Sequence, residues 1–69
     1  MDLKVFAERL RELRQERGLT TVQVGEGVGT GNSTISLWEN QKRMPNAENI
    51  SKLARFFNVS SDYLMGNED

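Results

Sequence analysis

Hydrophobic residues recur at steps of three and four along two stretches of the chain, with charged and polar residues between them. The first stripe consists of Leu3, Phe6, Ala7, Leu10 and Leu13, and the second of Ala47, Ile50, Leu53, Ala54 and Phe57. This spacing predicts two amphipathic α-helices, each with one face turned toward a core. Gly18 is expected to end the first helix, and Asn46, directly after Pro45, to cap the start of the second.

The stretch between these helices has a weaker pattern. Valines occupy even positions and glycines odd positions, at Val22, Val24, Gly25, Gly27, Val28, Gly29 and Gly31. Taken alone, this alternation suits a β-strand, but one face of that strand would lack side chains and no second run is available to pair with it. We predict instead two short helices separated near Gly29. The first has low helix propensity, because each interior glycine costs roughly 1 kcal/mol relative to alanine.

The last part of the chain predicts one more short helix. In the short helix that follows Gly29, Ile35 and Trp38 would form the buried edge, which leaves the other face of that helix exposed. After residue 58, either Ser60 or Ser61 can cap a final helix that ends at Gly66. Residues 66–69 are expected to be a frayed tail. The whole chain, 1–69, is therefore predicted to be one compact all-α domain.

Composition limits the chemistry that this chain can perform. Its 69 residues contain no cysteine and no histidine, which excludes disulfides, thiol and imidazole catalysis and the usual zinc ligands. Glu8, Glu12 and Glu16 alternate with arginines at helical spacing, as is typical of a solvated, salt-bridged helix face rather than of paired catalytic carboxylates. The glycines match no nucleotide-binding fingerprint. We expect no enzyme activity, no cofactor, no metal site and no small-molecule ligand.

The net charge of −1 conceals a weak basic bias. Four acidic residues lie close to the ends of the chain, and between residues 3 and 61 nine basic residues stand against six acidic ones, a net charge of +3. This bias permits phosphate contact without requiring it. No early apolar run suggests a signal peptide or a membrane span, so we expect a cytoplasmic protein.

Two separated runs, residues 33–40 (STISLWEN) and 58–66 (NVSSDYLMG), carry a specific pattern together with Thr20, Gly29 and Pro45. The pattern resembles the Cro and phage-repressor helix-turn-helix family, also called the XRE type, over nearly the whole chain. The resemblance implies a five-helix, lambda-repressor-like DNA-binding domain whose helices 2 and 3 form the helix-turn-helix. It also implies a bacterial or phage transcriptional regulator, with repression favoured over activation.

The resemblance implies that helix 3 enters the major groove of double-stranded DNA. The residues expected to face the bases are Asn32, Ser33, Ser36 and Leu37. Those expected to contact phosphates are Thr20, Thr21, Thr34, Asn40, Lys42 and Arg43. Asparagine can pair with adenine and leucine can pack on thymine methyl groups, so a site rich in A·T pairs is a hypothesis. Lys42 and Arg43 could alternatively form a solvated loop.

The resemblance also implies structural roles. Gly29 would occupy the turn between helices 2 and 3, where a positive φ favours glycine. Arg14 and Glu39 match a partly buried ion pair that joins helices 1 and 3, with a phosphate contact as the alternative for Arg14. Trp38 is expected in the core rather than stacked on a nucleotide.

The chain departs from the family pattern at DNA-facing positions. The family commonly opens helix 2 with glutamine and places alanine against helix 3, where this chain has Thr21 and Gly25. Leu37 stands where the family commonly has a basic or amide residue, and Gly31 stands where the family commonly has a hydroxyl residue that caps helix 3. Because few strong donors remain on this face, a protein-interaction module of antitoxin-like or anti-repressor-like type, with weak or lost DNA binding, is the alternative function.

A homodimer is expected, because one short helix contacts only a few base pairs and symmetric half-sites increase specificity. The resemblance suggests Phe56, Tyr63 and Met65 as the dimer patch. Core positions are an equal alternative for Phe56 and Tyr63. Steeply salt-dependent binding would favour the DNA regulator over the protein-interaction module.

Overall fold

The computed structural model describes residues 1–68 and has five α-helices in that range. They are α1 (Leu3–Glu16), α2 (Thr21–Val28), α3 (Asn32–Glu39), α4 (Ala47–Phe57) and α5 (Ser61–Met65). The prediction of an all-α, five-helix domain is confirmed, and the glycine-rich stretch forms α2 rather than a strand. Within the same residues, no helix is both long and apolar enough to cross a membrane.

Side-chain caps define the starts of four helices. The side chains of Asp2, Thr20, Asn46 and Ser60 each accept a hydrogen bond from the backbone N–H three residues further on. These bonds satisfy amides that the helix itself leaves without partners. The exception is α3, which begins after Gly31 and has no side-chain cap. Ser60, rather than Ser61, is the cap of α5.

The core joins the two predicted stripes to the helices between them. Its fully buried large side chains are Phe6, Leu10, Val24, Ile35, Trp38, Leu53, Phe57 and Leu64. Every helix contributes at least one of them. The rings of Phe6 and Trp38 meet edge to face with centroids 6.3 Å apart, a favourable aromatic arrangement that ties α3 to α1. Trp38 is therefore a core residue, as expected.

Close packing explains the two interior glycines of α2. A Cβ on Gly25 would stand 2.7 Å from the backbone oxygen of Thr30, in the turn that leads to α3. A Cβ on Gly27 would overlap the ring of Phe56, which lies over this part of α2. From the sequence, both glycines were predicted to lower helix propensity, and the family resemblance placed Gly25 against helix 3, which agrees with its position beside the turn; the contact between Gly27 and Phe56 was not predicted. In the folded domain they let the turn and α4 approach the backbone of α2.

The two ends of the described chain lie side by side. The backbone N–H of Asp2 donates to Met65 O at 3.1 Å. The guanidinium of Arg9 lies 4.2 Å from the ring centroid of Tyr63 and donates to Glu68 O at 2.6 Å. The tail predicted to fray, 66–69, thus contacts the body of the domain as far as residue 68, and residue 69 lies outside the described residues.

Candidate nucleic-acid interface

Helices α2 and α3 are joined by the three residues 29–31 and pack against each other. Gly29 ends α2 with a φ of +76°, a left-handed conformation that glycine adopts without a steric penalty. Val24 of α2 and Ile35 of α3 are completely buried on the inner side of this pair. The turn and these contacts fix the direction in which the outer face of α3 points.

The outer face of α3 carries the four residues that the sequence predicts to face bases. Asn32 and Ser33, in the first turn, are exposed, and Ser36 and Leu37, one turn later, are half-buried. Thr34 is half-buried as well. The structure therefore brings polar side chains together at the start of a helix whose other side is anchored in the core.

Thr20 and Thr21 lie at the beginning of α2. The Thr20 hydroxyl oxygen accepts from Gln23 N at 3.1 Å, and the Gln23 side chain accepts from Thr20 N at 2.8 Å, which together form a capping box. Because the Thr20 oxygen acts here as an acceptor, its proton remains available for a phosphate oxygen. Gln23 was not predicted from the sequence, although the spacing of Thr20 and Gln23 is the signature of a capping box.

Lys42 and Arg43 are exposed in the connection between α3 and α4. Asn40 is exposed too, but its amide is engaged on α3 itself, where Nδ2 donates to Ser36 O at 2.8 Å and to Ser36 Oγ at 3.3 Å. Its Oδ1 accepts from Arg11 Nη2 at 3.4 Å. Arg11 was missed from the sequence. Its position three residues before Arg14 places it on the same side of α1, and this spacing could have indicated that it also approaches the end of α3.

An ion pair connects α1 to the end of α3. Arg14 Nε lies 2.6 Å from Glu39 Oε2, and Arg14 Nη2 lies 2.9 Å from Glu39 Oε1. The third donor, Arg14 Nη1, bonds Leu19 O at 3.0 Å. The hydrogen bond to Glu39 raises the pKa of Arg14, burial opposes this rise, and the charge of Glu39 adds to it. The guanidinium is thus occupied inside the domain.

The three residues of the predicted dimer patch are all half-buried and pack against the core. The Phe56 ring lies over α2 and meets Phe57 edge to face at a centroid distance of 4.9 Å. The Tyr63 ring lies instead against Arg9 of α1. Met65 is half-buried and packs at the edge of the core.

Two short helices joined by a glycine turn, the second with an exposed first turn and a buried back, define a helix-turn-helix domain. The helix-turn-helix family model matches residues 10–64. The chain belongs to this family, in its Cro and phage-repressor branch.

Curated relatives share its sequence along most of the chain. It is 37% identical over 64 residues to the HTH-type transcriptional regulator ImmR of Bacillus subtilis (strain 168), which covers 93% of this chain and 50% of ImmR. It is 34% identical over 65 residues to repressor protein C2 of Salmonella phage P22, which covers 94% of this chain and 30% of that repressor. The chain thus spans half or less of the length of these relatives.

Solved structures share its fold. The P22 c2 repressor in complex with synthetic operator 9T matches with a TM-score of 0.88 and 33% identity, covering 93% of this chain and 97% of that one. The restriction-modification controller protein C.AhdI from Aeromonas hydrophila matches with a TM-score of 0.84 and 33% identity, covering 91% and 96% of the two chains.

Proposed function

We propose that this chain is a sequence-specific double-stranded DNA-binding transcriptional regulator, acting as a repressor, that contacts an operator half-site through the major groove. The observation that carries the proposal is the geometry of α3. Its exposed first turn presents Asn32 and Ser33, while Ile35 and Trp38 are buried behind them. A helix that enters the groove needs this combination of free side chains and a rigid back. The fold match to a repressor bound to operator supports it.

The contacts divide into two kinds. Asn32, Ser33, Ser36 and Leu37 face the base edges, and a preference for A·T pairs follows from the amide of Asn32 and the methyl groups of Leu37. Thr20, Thr21, Lys42 and Arg43 flank this face at the start of α2 and after α3, so they contact phosphates and set the position of α3. Thr34, half-buried on α3, is the remaining candidate for a backbone contact.

The functional unit is a homodimer on DNA. With 8 residues, α3 is about 12 Å long and spans only a few base pairs, so two half-sites are needed for a specific operator. Phe56, Tyr63 and Met65 are the proposed dimer patch. Because its target is the bacterial or phage genome, the regulator works in the cytoplasm.

Selection from a random double-stranded DNA library at low salt tests the proposal, followed by anisotropy measurements of the best sequence across a salt series. We expect a palindromic sequence whose binding weakens steeply with salt, because bound phosphates release counterions. If no sequence is enriched and the response to salt is flat, the proposal is wrong and the protein-interaction module takes its place.

A further inference from the structure

Three polar side chains form a line from α1 to the outer face of α3. Arg11 Nη2 lies 3.4 Å from Asn40 Oδ1, and Asn40 Nδ2 lies 2.8 Å from Ser36 O and 3.3 Å from Ser36 Oγ. Arg11 is itself held by Glu39, whose Oε1 lies 3.4 Å from Arg11 Nε. The line therefore begins at Arg11, which the buried carboxylate of Glu39 holds in place, and ends at a residue that faces the DNA in the proposed function.

The direction of every hydrogen bond in this line is fixed by chemistry. A guanidinium has only donors, so the oxygen of the Asn40 amide must face Arg11. A backbone carbonyl only accepts, so the NH2 group of the same amide must face Ser36 O. Arg11 and Ser36 O require the same orientation of the Asn40 amide. The hydrogen bonds alone therefore identify which atom of the amide is oxygen and which is nitrogen. The Asn40 NH2 group also reaches Ser36 Oγ, which must act as an acceptor.

We propose that Asn40 is a positioning residue that fixes the Ser36 hydroxyl as a hydrogen-bond donor toward DNA, so that the facing base pair is selected for an acceptor atom. The inference rests on the proposed function. Serine has one hydroxyl proton and two oxygen lone pairs. With one lone pair accepting from Asn40, the proton is directed away from the amide and only one lone pair stays free. In residues 1–68, the Ser36 hydroxyl donates to no protein group. The proton is thus left for an external acceptor.

The hydrogen bond from Asn40 gives Ser36 a preference among the bases. A freely rotating serine hydroxyl can face either donors or acceptors on the bases. Because Asn40 occupies one of its two lone pairs, the Ser36 hydroxyl favours guanine N7 or O6, adenine N7 or thymine O4 over the amines of adenine and cytosine. One neutral hydrogen bond corresponds to roughly a 2- to 10-fold difference in affinity between matched and mismatched bases.

The positioning role differs measurably from the phosphate contact first expected for Asn40. A phosphate contact carries no sequence information, so its loss weakens binding to every sequence by one factor. Loss of a positioning residue changes the preference at a single base pair and leaves the other positions alone. Base preference at that position is therefore the quantity to measure.

Asn40→Asp is the test variant. Its carboxylate only accepts, so Ser36 would donate to it and turn an oxygen lone pair toward the DNA. Library selection should then show the preference at one base pair moving from an acceptor-bearing base toward an amine, roughly 2- to 10-fold. Ser36→Ala should abolish the preference at that position, alone or combined with Asn40→Asp. Arg43→Ala is the matched control, expected to weaken all sequences evenly.

Asn40→Ala provides a second variant if thermal melting shows that Asn40→Asp does not fold. It frees the Ser36 hydroxyl, so the same preference should relax without reversing. An even loss of affinity for all sequences in each variant that folds would overturn the inference and leave the proposed function intact. Selection of no sequence by the unaltered chain would overturn both together.

Discussion

The ring of Phe56 lies over Gly27, in the space that a Cβ at that position would occupy. Contact between α2 and α4 at this point therefore depends on the absence of a side chain. The same glycine lowers the helix propensity of α2 by roughly 1 kcal/mol. At position 27, helix propensity favours alanine, whereas packing against Phe56 requires glycine. The packing requirement explains why glycine is present.

Gly27→Ala is expected to destabilise the domain by about 1–3 kcal/mol, because the added methyl group displaces the Phe56 ring. With Phe56→Ala already present, the same change should stabilise by roughly 1 kcal/mol, since only the helix propensity remains. Urea unfolding of the four proteins of this cycle measures both values. A stabilising effect of Gly27→Ala with Phe56 in place would show that the ring moves aside at little cost.

Arg14→Ala is expected to cost about 3–5 kcal/mol of unfolding free energy, because it leaves the carboxylate of Glu39 buried without its main partner. The Glu39 side chain is only 3% exposed. Arg43→Ala, which removes an exposed arginine, should change stability by less than about 0.5 kcal/mol. The double variant Arg14→Met/Glu39→Met should recover much of the loss, because no unpaired charge remains. Equal effects of Arg14→Ala and Arg43→Ala would contradict this account.

The contribution of Arg14 should not vary with pH in the neutral range. Its pKa is raised in the folded domain by the hydrogen bond to Glu39. A raised pKa gives stability that is complete below the unfolded-state value and is lost only as pH rises through the folded-state value, in strong alkali. The difference in stability between the unaltered chain and Arg14→Lys, which keeps the charge, should therefore stay constant across neutral pH. A steep change of this stability difference across neutral pH would show that a group other than Arg14 is responsible for it.

Lys42→Ala and Arg43→Ala are each expected to weaken binding to all DNA sequences. Each loss of a phosphate contact should reduce the slope of log affinity against log salt by roughly 0.9 per protomer. Lys52→Ala is the control, since Lys52 pairs with Glu48 at 3.4 Å on α4 and should not alter the slope. An unchanged slope for Lys42 and Arg43 would support the solvated-loop alternative.

Asn32→Ala should relax the base preference at one position of each half-site by about 1–3 kcal/mol, while preserving the salt slope. Selection from the library, repeated with this variant, measures the change position by position. Identical preferences for the variant and the unaltered chain would remove Asn32 from the base-contacting face.

The helices were predictable because their determinants are local. Stripes of apolar residues reflect burial on one face, and Asn46 and Ser60 lie where helix caps are expected. Gly29 was predictable from its place in the family pattern, and the αL backbone at this residue agrees with it.

The contacts that could not be predicted from the sequence are those between residues that meet only after folding. Arg11 and Asn40 are 29 positions apart and come together because α1 packs against α3. Phe56 and Gly27 are likewise brought together by the packing of α4 on α2. Periodicity predicts which face of a helix is buried, but it does not identify the partner on the opposing helix.

The hydrogen bond from Asp2 N to Met65 O has a practical consequence for experiments on this domain. It places the first residues beside α5, the helix that contains two of the three residues of the proposed dimer patch. An affinity tag fused ahead of Met1 would add bulk next to this surface. Oligomeric state should therefore be measured by sedimentation after the tag has been removed, with the tagged protein run alongside for comparison.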